Sequence, residues 1–184
     1  MKMKKSKIVL SALSILLIAS IFLVFSSSQN QIPSADDSVG IEYHSNVCVY
    51  KNNELVQCDH NLLYDTGKEL IKTYLGDTGG ASDGVDQISL CNATAGCQAP
   101  VAGASETFSL LNSCGMEEAT GTYASVGTGN WTITNQFTST CNNIVTNSTR
   151  LQNTAGTNFA GNNFTLVTLQ NQDALTVVWN IWVV

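Results

Sequence analysis

The sequence predicts a mainly β protein: an antiparallel β-sandwich with one short α-helix, preceded by an N-terminal apolar helix for export or anchoring. Three observations lead to this prediction. Residues 8–25 form an uncharged, largely apolar run, and four lysines precede it. After residue 28 the polar residues are mostly Ser, Thr, Asn and Gly, which suit short strands better than exposed helices. Several later segments alternate apolar and polar residues with the period of two that is typical of a half-buried strand.

Residues 1–28 are predicted to be a signal peptide or a signal anchor. Lysines at positions 2, 4, 5 and 7 precede the apolar run, and basic residues stay on the cytoplasmic side of a membrane. The run is just long enough to cross a bilayer, so it can be a retained transmembrane anchor. Ser26–Ser28 supply small residues for a signal peptidase, so cleavage after Ser28 stays equally open. A type IV prepilin signal fits less well, because Lys7 and Ala12 replace its usual small residue and glutamate.

Everything after this export element is expected to lie outside the cytoplasm. Residues 29–40 contain Pro, Ser and acidic residues without an apolar period, which predicts a spacer. Residues 41–184 are long enough for one extracytoplasmic domain. Residues 29–184 hold four basic and fourteen acidic residues, a formal charge of −10. Such a surface repels a phosphate backbone, so nucleic-acid binding is disfavoured.

Six cysteines beyond the export element predict up to three disulfides. They are Cys48, Cys58, Cys91, Cys97, Cys114 and Cys141. An even count outside the cell favours disulfides, whereas a metal site would need paired C-x-x-C spacing that is absent. A disulfide between Cys91 and Cys97 can pin the small loop that they bracket, and the last two cysteines pair by elimination.

The first strand is predicted over Ile41–Val49, and Val47–Cys58 predicts a hairpin. Two β-prone runs flank Asn52 and Asn53, and asparagine tolerates the positive φ that tight hairpin turns require. A turn there places Cys48 opposite Cys58 or one step away. Cβ atoms on neighbouring strands are close enough for a disulfide, so we expect these two cysteines to be bonded.

Residues 61–76 are predicted to form the one helix. Thr66 and Glu69 have the spacing of a capping box, and Gly76 can end the helix. Its apolar face consists of Leu70, Ile71, Tyr74 and Leu75. We expect this helix to pack across one end or one face of a sheet.

The later strands follow from alternation and β propensity. Short strands are predicted over Gln87–Leu90, Thr107–Leu111 and Asn162–Leu169. Residues 121–140 are predicted to form one half-buried strand, with Trp131, Ile133 and Phe137 on one side. Residues 142–161 are polar, with an edge strand over Arg150–Thr154 at most. The last strand, Leu175–Val184, is apolar on both faces and is expected to be central or covered.

One candidate metal site lies in the glycine-rich loop after the helix. Asp77, Asp83 and Asp86 bring three carboxylates into ten residues, and carboxylates ligate calcium. The spacing is not that of an EF-hand, which also needs a glutamate at its twelfth position. An ordinary solvated loop is therefore the default interpretation, and no cofactor is predicted.

Four N-x-S/T sequons are candidate glycosylation sites. They begin at Asn92, Asn130, Asn147 and Asn163, and none has proline in the middle position. They are used only if export passes through a pathway with N-glycosylation.

No catalytic motif is present, so the sequence predicts a protein that is not an enzyme. The only histidines are His44 and His60, and neither belongs to an H-E-x-x-H motif or accompanies a G-x-S-x-G elbow. A phosphate-binding loop, a dinucleotide fingerprint and a basic-aromatic stripe are also lacking. His60 followed by Asn61 is typical of a junction between two elements, where both side chains bond loose backbone groups.

Two short motifs resemble known proteins. His60-Asn61 before Thr66-Gly67-Lys68, together with the closing pattern D-x-L-T-V-x-W-x-I-x-V over 173–183, is similar to a pattern in tail-associated virion proteins of phages and archaeal viruses. It also resembles small exported cell-surface proteins of archaea. The resemblance implies a structural, assembly or adhesion role and brings no catalytic residue. The export element and the cysteines favour the cell-surface version.

These features together predict a non-enzymatic, disulfide-stabilised structural or filament-forming protein of the cell surface, as in a pilus. Residues 29–47 are the segment expected to complete a neighbouring copy's sheet by strand addition. The alternative is a membrane-tethered adhesin or carbohydrate-binding module, and a virion or tail-associated structural protein is the third possibility.

Overall fold

The computed structural model describes residues 42–76 and 84–183. The export element, residues 29–41, the loop at residues 77–83 and Val184 lie outside these ranges. Within the described ranges the chain forms two five-stranded antiparallel sheets and one helix, α1 (Asp65–Gly76). No helix in these ranges combines the length and the apolar character needed to cross a membrane.

The two sheets, A and B, take strands from both halves of the chain. Sheet A contains β1 (Tyr43–Lys51), β2 (Glu54–His60), β6 (Thr122–Gly127), β7 (Asn130–Thr138) and β10 (Ala174–Val183), in the order β2-β1-β10-β7-β6. Sheet B contains β3 (Leu62–Leu63), β4 (Val85–Leu90), β5 (Ala119–Thr120), β8 (Ile144–Asn153) and β9 (Asn158–Leu169), in the order β3-β9-β8-β4-β5. Each hydrogen-bonded pair is antiparallel. The predicted mainly β fold with one short helix is therefore confirmed for the described residues.

The core is built on the last strand. β10 lies between β1 and β7, so its predicted central position is confirmed. Every second residue of β10 is buried: Leu175, Val177, Trp179 and Ile181. Residues of sheet B, including Leu90, Leu151 and Leu169, complete the same apolar cluster. Alternation with period two therefore places one face of β10 in the core.

The hairpin between β1 and β2 matches its prediction. Asn52 and Asn53 have φ of 48° and 68°, the left-handed conformation that a two-residue turn requires. Cys48 is directly opposite Cys58, and the two are bonded, with 3.9 Å between their Cα atoms. We call this bond the hairpin disulfide.

The other two predicted cysteine pairs are also bonded. Cys91–Cys97 closes a small loop at the end of β4. Cys114–Cys141, called here the long-loop disulfide, joins the segment before β5 to the end of β7, across 27 residues. Three disulfides are consistent with an extracellular or otherwise oxidising compartment.

The helix begins later than predicted, and the capping box is wrong. Leu62 and Leu63 form β3 by pairing with Gly161 and Ala160, so α1 begins at Asp65. Thr66 is thus the second residue of the helix and not its N-cap, and its hydroxyl donates to the carbonyl of Asn158, 2.6 Å away. Tertiary pairing with β9 therefore outweighs the local helix signal.

Gly67 explains how closely α1 approaches sheet B. A Cβ at this position would clash with the carbonyl oxygen of Phe159 and lie 2.9 Å from Cδ1 of Leu63. Only glycine leaves room for the β9 backbone at this distance, so a helix-weakening residue is needed for packing.

The single strand predicted over residues 121–140 is wrong. The chain turns at Thr128–Gly129 and forms two strands, β6 and β7, which pair with each other. Gly129 has φ of 66°, a turn conformation that glycine adopts without strain. Within β7 the predicted inward side is confirmed for Ile133 and Phe137, both 3% exposed.

The prediction of at most an edge strand, over Arg150–Thr154, within residues 142–161 is also wrong. Residues 144–153 form β8, which lies between β9 and β4 in sheet B rather than at an edge. Two of its buried hydroxyls bond to backbone: Ser148 Oγ donates to Asn162 O at 3.1 Å, and Thr149 Oγ1 to Ser89 O at 2.9 Å. These hydrogen bonds allow a polar sequence to occupy a central strand. A third, Thr146 Oγ1, has no hydrogen-bond partner among the described residues.

Residues 107–111 contribute two isolated bridges instead of the predicted strand. Phe108 pairs with Cys97, and Leu110 pairs with Cys91. The long segment between β4 and β5 therefore folds against the end of β4, and the Cys91–Cys97 disulfide lies within the same contact.

Candidate functional site

The candidate site is an apolar cleft at one end of the sandwich, called here the aromatic cleft. Its volume is about 560 Å³, within the range of roughly 300–1,000 Å³ that is typical of small-molecule sites. The described residues that line it are Tyr43, Ile71, Tyr74, Gly84, Val85, Asp86, Tyr123, Trp131, Ile133, Phe159, Ile181 and Val183. Five of these twelve side chains are aromatic, and one carries a charge.

The inner face of sheet A forms one wall of the aromatic cleft. Residues that are paired across strands share a face, and Tyr123 is paired with Ile133 while Trp131 is paired with Ile181. Tyr43, on β1, is paired with Val183 at the end of β10. The wall therefore extends across β1, β10, β7 and β6. Tyr123 on the edge strand is 62% exposed, so the cleft is open at β6.

Helix α1 and sheet B form the opposite wall. Ile71 and Tyr74 lie one helical turn apart, so both reach the cleft from the same face of α1. Phe159 at the start of β9 meets the ring of Tyr43 edge-on, with 5.5 Å between the centroids and 82° between the planes. This edge-to-face contact joins the two sheets at the cleft and favours a fixed shape for it.

The Tyr43 hydroxyl is held by its neighbours. It lies 2.8 Å from Ser45 Oγ and accepts a hydrogen bond from Asn61 Nδ2 at 3.3 Å. Ser45 in turn donates to Asn61 Oδ1. Burial raises the pKa of Tyr43, and the hydrogen bonds with Ser45 and Asn61 oppose this shift without cancelling it. The hydroxyl is therefore neutral at physiological pH and is not a nucleophile.

Asp86 provides the only charged side chain among the described residues of the cleft. The register between β4 and β8 shifts at this position, which marks a bulge, and bulges redirect side chains. Its Oδ1 accepts a hydrogen bond from Gln87 Nε2 at 3.0 Å. Its Oδ2 faces Gly84, which also lines the cleft. A Cβ atom placed on Gly84 would lie 3.9 Å from this oxygen.

A second polar feature, the Arg150 cluster, consists of Tyr64, Glu106, Phe108 and Arg150. Arg150 Nη2 donates to Glu106 Oε1 at 2.6 Å, and Arg150 Nε donates to the Tyr64 hydroxyl at 3.2 Å. Tyr64 also donates its hydroxyl hydrogen to Glu106. The guanidinium lies 4.1 Å from the centroid of the Phe108 ring. The side chains of Arg150 and Glu106 are only 12% and 2% exposed.

The pKa shifts in the Arg150 cluster indicate a structural role. Burial of Glu106 opposes its ionisation, but hydrogen bonds from Tyr64 and Arg150 outweigh burial and lower its pKa. Burial raises the pKa of Tyr64, and the hydrogen bond to Glu106 raises it further. The cluster is thus a neutralised ion pair with a protonated tyrosine. It connects the segment between β4 and β5 to β8.

The predicted site residues lie apart from one another. Asp77 and Asp83 fall outside the described residues, so the calcium site stays a prediction, and Asp86 lines the aromatic cleft. His60, at the end of β2, is exposed, and His44 stacks on Trp182 with 5.7 Å between the ring centroids. Neither histidine lines the cleft. In the described part of the chain, no three Asp, Glu, His or Cys side chains are grouped for a metal ion.

The four sequons differ in accessibility. Asn163, on β9, is exposed. The side chains of Asn92, Asn130 and Asn147 are half-buried, and Asn92 Oδ1 already accepts hydrogen bonds from the amide and hydroxyl of Thr94. Asn163 is therefore the sequon whose asparagine is most accessible to a glycosyl carrier.

Sequence reasoning missed both the aromatic cleft and the Arg150 cluster. The cleft gathers residues from β1, α1, β4, β6, β7, β9 and β10, and their proximity depends on how the strands are ordered. One signal for the cluster was present, since Arg150 is the only arginine in the chain. Comparisons with protein-family models, curated proteins and solved structures find no match for this chain.

Proposed function

We propose that this chain is an exported, non-enzymatic structural protein of the cell surface that associates with further copies of itself by strand addition at β6. The observation that carries the proposal is the character of β6. This strand is the last in sheet A, and all six of its residues are exposed. It contains no charged residue and no proline, both of which protect sheet edges, although its pairing with β7 shifts register between Ser125 and Gly127. Tyr123 and Val126 are 62% and 61% exposed.

The other sheet edges among the described strands are protected. β2 carries Glu54 and Asp59, and Gln57 Oε1 accepts hydrogen bonds from Thr165 N and Oγ1 at 2.7 and 2.9 Å. These bonds tie the β2 edge to β9. The edge strands of sheet B, β3 and β5, have two residues each. Long open edges pair most readily, so β6 is the favoured acceptor.

The donor strand predicted from the sequence needs correction. Tyr43–Val47 form the first half of β1 and pair with Trp179–Val183 within the same chain, so they are not available to a neighbour. Residues 29–41 lie outside the described residues. We favour a second copy as the occupant of β6, because an uncharged edge avoids local repulsion between two chains whose residues 29–184 each carry a formal charge of −10.

A concentration series measured by light scattering tests self-association. The exported chain is expected to increase in mass with concentration. Ala124→Lys introduces a charge on the exposed edge and is expected to keep the chain monomeric. Thr154→Lys, in the exposed turn between β8 and β9, is the control and should behave like the unmodified chain. A chain that stays monomeric throughout, or equal behaviour of the two lysine variants, would refute the proposal.

Whether the assemblies are dimers or filaments shows which segment of the second copy pairs with β6. Pairing of β6 with β6 across a two-fold axis closes the interface and stops at a dimer. Donation of another segment produces a head-to-tail contact, which continues into a filament. The pilus-like form of the proposal requires the second outcome. The three disulfides and the predicted export element support a secreted or membrane-anchored location.

A tethered binding module is the second candidate function, and the aromatic cleft is the observation that favours it. Carbohydrate sites need several convergent polar groups besides aromatic rings. The described lining offers the Asp86 carboxylate and tyrosine hydroxyls, and the hydroxyl of Tyr43 is already bonded. An apolar ligand fits this lining better than a sugar. Strong binding to a glycan array, lost in Trp131→Ala, would reverse this preference.

A further inference from the structure

The aromatic cleft combines three properties that restrict its ligand. It is concave and large enough for a small organic molecule, with a volume of about 560 Å³. Aliphatic side chains line part of it: Ile71, Val85, Ile133, Ile181 and Val183. Five aromatic side chains, Gly84 and Asp86 line the rest. A ligand that fills this space must therefore be largely apolar.

The electrostatics of the cleft favour a cation. Aromatic faces carry negative potential and attract ammonium groups, most strongly when water is excluded. Asp86 adds a full negative charge, and no lysine or arginine is found among the described lining residues. The charge of −10 on residues 29–184 raises the local concentration of cations and lowers that of anions.

We propose that the aromatic cleft binds a small amphiphilic ammonium ion, a positively charged alkylated amine that carries an apolar chain. The ammonium group lies near Asp86 and against the aromatic rings. The apolar chain lies along Ile133, Ile181 and Val183. Tyr123 belongs both to this site and to β6, but the proposed strand addition uses the backbone at the outer edge of β6 and not the interior of the cleft.

Two other ligand classes fit the cleft less well. A fatty acid or alkyl sulfate would place a second negative charge beside Asp86 without a cation to neutralise either charge. A neutral amphiphile would fill the apolar space but gain nothing from the carboxylate or from the rings' negative faces. Among ligands with the same alkyl chain, the charge of the head group should therefore determine the affinity.

Three octyl amphiphiles with different head groups provide the test. Octyltrimethylammonium, octyl glucoside and octyl sulfate are titrated into the dilute exported chain by calorimetry, each below its critical micelle concentration. We expect one saturable site for the cation, with an affinity on the order of tenfold above that for octyl glucoside. Octyl sulfate should bind more weakly than the glucoside. Equal affinities, a preference for the sulfate or the absence of saturation would overturn the proposal.

Two variants locate the site. Asp86→Asn keeps the shape and a hydrogen-bonding oxygen but removes the charge, so it should reduce the cation's affinity about tenfold and leave octyl glucoside within about twofold. Trp131→Leu should reduce the affinity for the cation about threefold to tenfold, because it removes an aromatic ring. Glu117→Gln, the control, removes an exposed carboxylate that does not line the cleft. It should change neither the affinity for the cation nor the affinity for octyl glucoside. If Glu117→Gln and Asp86→Asn have equal effects, the net charge alone attracts the cation and the proposal fails.

Ala124→Lys separates this inference from self-association. That variant tests the β6 edge and leaves the residues of the cleft in place, so it should bind the cation as the unmodified chain does. Loss of dimers with retained binding would support both proposals. Loss of self-association in this variant, with no preference for the cation in either chain, would refute only the proposed ligand site.

Discussion

Replacement of Arg150 by methionine should destabilise the fold more than the loss of any exposed ion pair. Arg150 neutralises Glu106, whose side chain is 2% exposed, and Arg150→Met leaves that carboxylate buried without its cation. Removing one partner of a buried pair costs about 3–5 kcal/mol. Since Arg150 itself is 12% exposed, we expect the lower end, about 3 kcal/mol. For a domain of this size that corresponds to a fall in Tm of roughly 6–12 °C.

The pH dependence gives this prediction a second, independent readout. In the native fold the pKa of Glu106 is lowered, so its ionisation stabilises the fold above the usual glutamate pKa of about 4.3. That contribution is lost as the pH falls through the lower folded value. Without Arg150, the hydrogen bond from Tyr64 still lowers the pKa of Glu106, but the loss of the guanidinium should move that pKa upward, so ionisation of Glu106 stabilises the fold less at pH 7. The deficit of the variant should therefore narrow between pH 7 and pH 4.

Urea denaturation at pH 7 and at pH 4, with the disulfides intact, measures both effects. Lys68→Met is the control, because the Lys68–Asp65 pair is 59% and 63% exposed and should contribute at most about 1 kcal/mol. If Arg150→Met does not fold at pH 7, the double variant with Glu106→Gln should recover stability, because no charge is then buried alone. A loss of less than about 1 kcal/mol, or a deficit that does not change with pH, would refute the reasoning.

Three further predictions concern other parts of the fold. Removing the long-loop disulfide, as Cys114→Ala with Cys141→Ala, should cost about 0.9 kcal/mol more than removing the hairpin disulfide, because it closes 27 residues instead of 10; equal losses in urea denaturation would contradict this. Gly67→Ala should destabilise the fold by about 1–3 kcal/mol despite the higher helix propensity of alanine, because its Cβ meets the β9 backbone; a higher Tm in calorimetry would contradict this. Asp173 accepts hydrogen bonds from the Asn52 side chain and the Gln170 amide and pairs with Lys51, which lowers its pKa to about 2. Its carboxyl titration by NMR should therefore still show the ionised form at pH 3, and Lys51→Met should move the midpoint upward; a midpoint near 3.8 in the unmodified chain would be inconsistent with this contact.

Local sequence was sufficient where the deciding interactions are short-range. The turn at Asn52–Asn53 and the hairpin disulfide follow from the positive φ that asparagine tolerates and from the pairing of adjacent strands. The central position of β10 follows from its two apolar faces. The same local reasoning failed for β8, because the buried hydroxyls of Ser148 and Thr149 donate to backbone carbonyls on the neighbouring strands β9 and β4, which are distant in the chain.

Composition, cysteine spacing and strand periodicity were enough to predict the strongly acidic character of residues 29–184, the three disulfides and the mainly β class. The order of the strands, and the aromatic cleft that forms at one end of the two sheets, became visible only in the tertiary structure. In the sequence, Tyr123 and Trp131 have the pattern of ordinary strand residues. They form part of one wall of the aromatic cleft because the chain turns at Gly129, and the two resulting strands, β6 and β7, pair with each other. Arg150 was predicted to start an edge strand, yet it lies on a central strand with its side chain against Glu106 and Phe108. The physical reason is that burial and charge pairing depend on strand order, which joins residues far apart in the chain and leaves no local periodicity to detect.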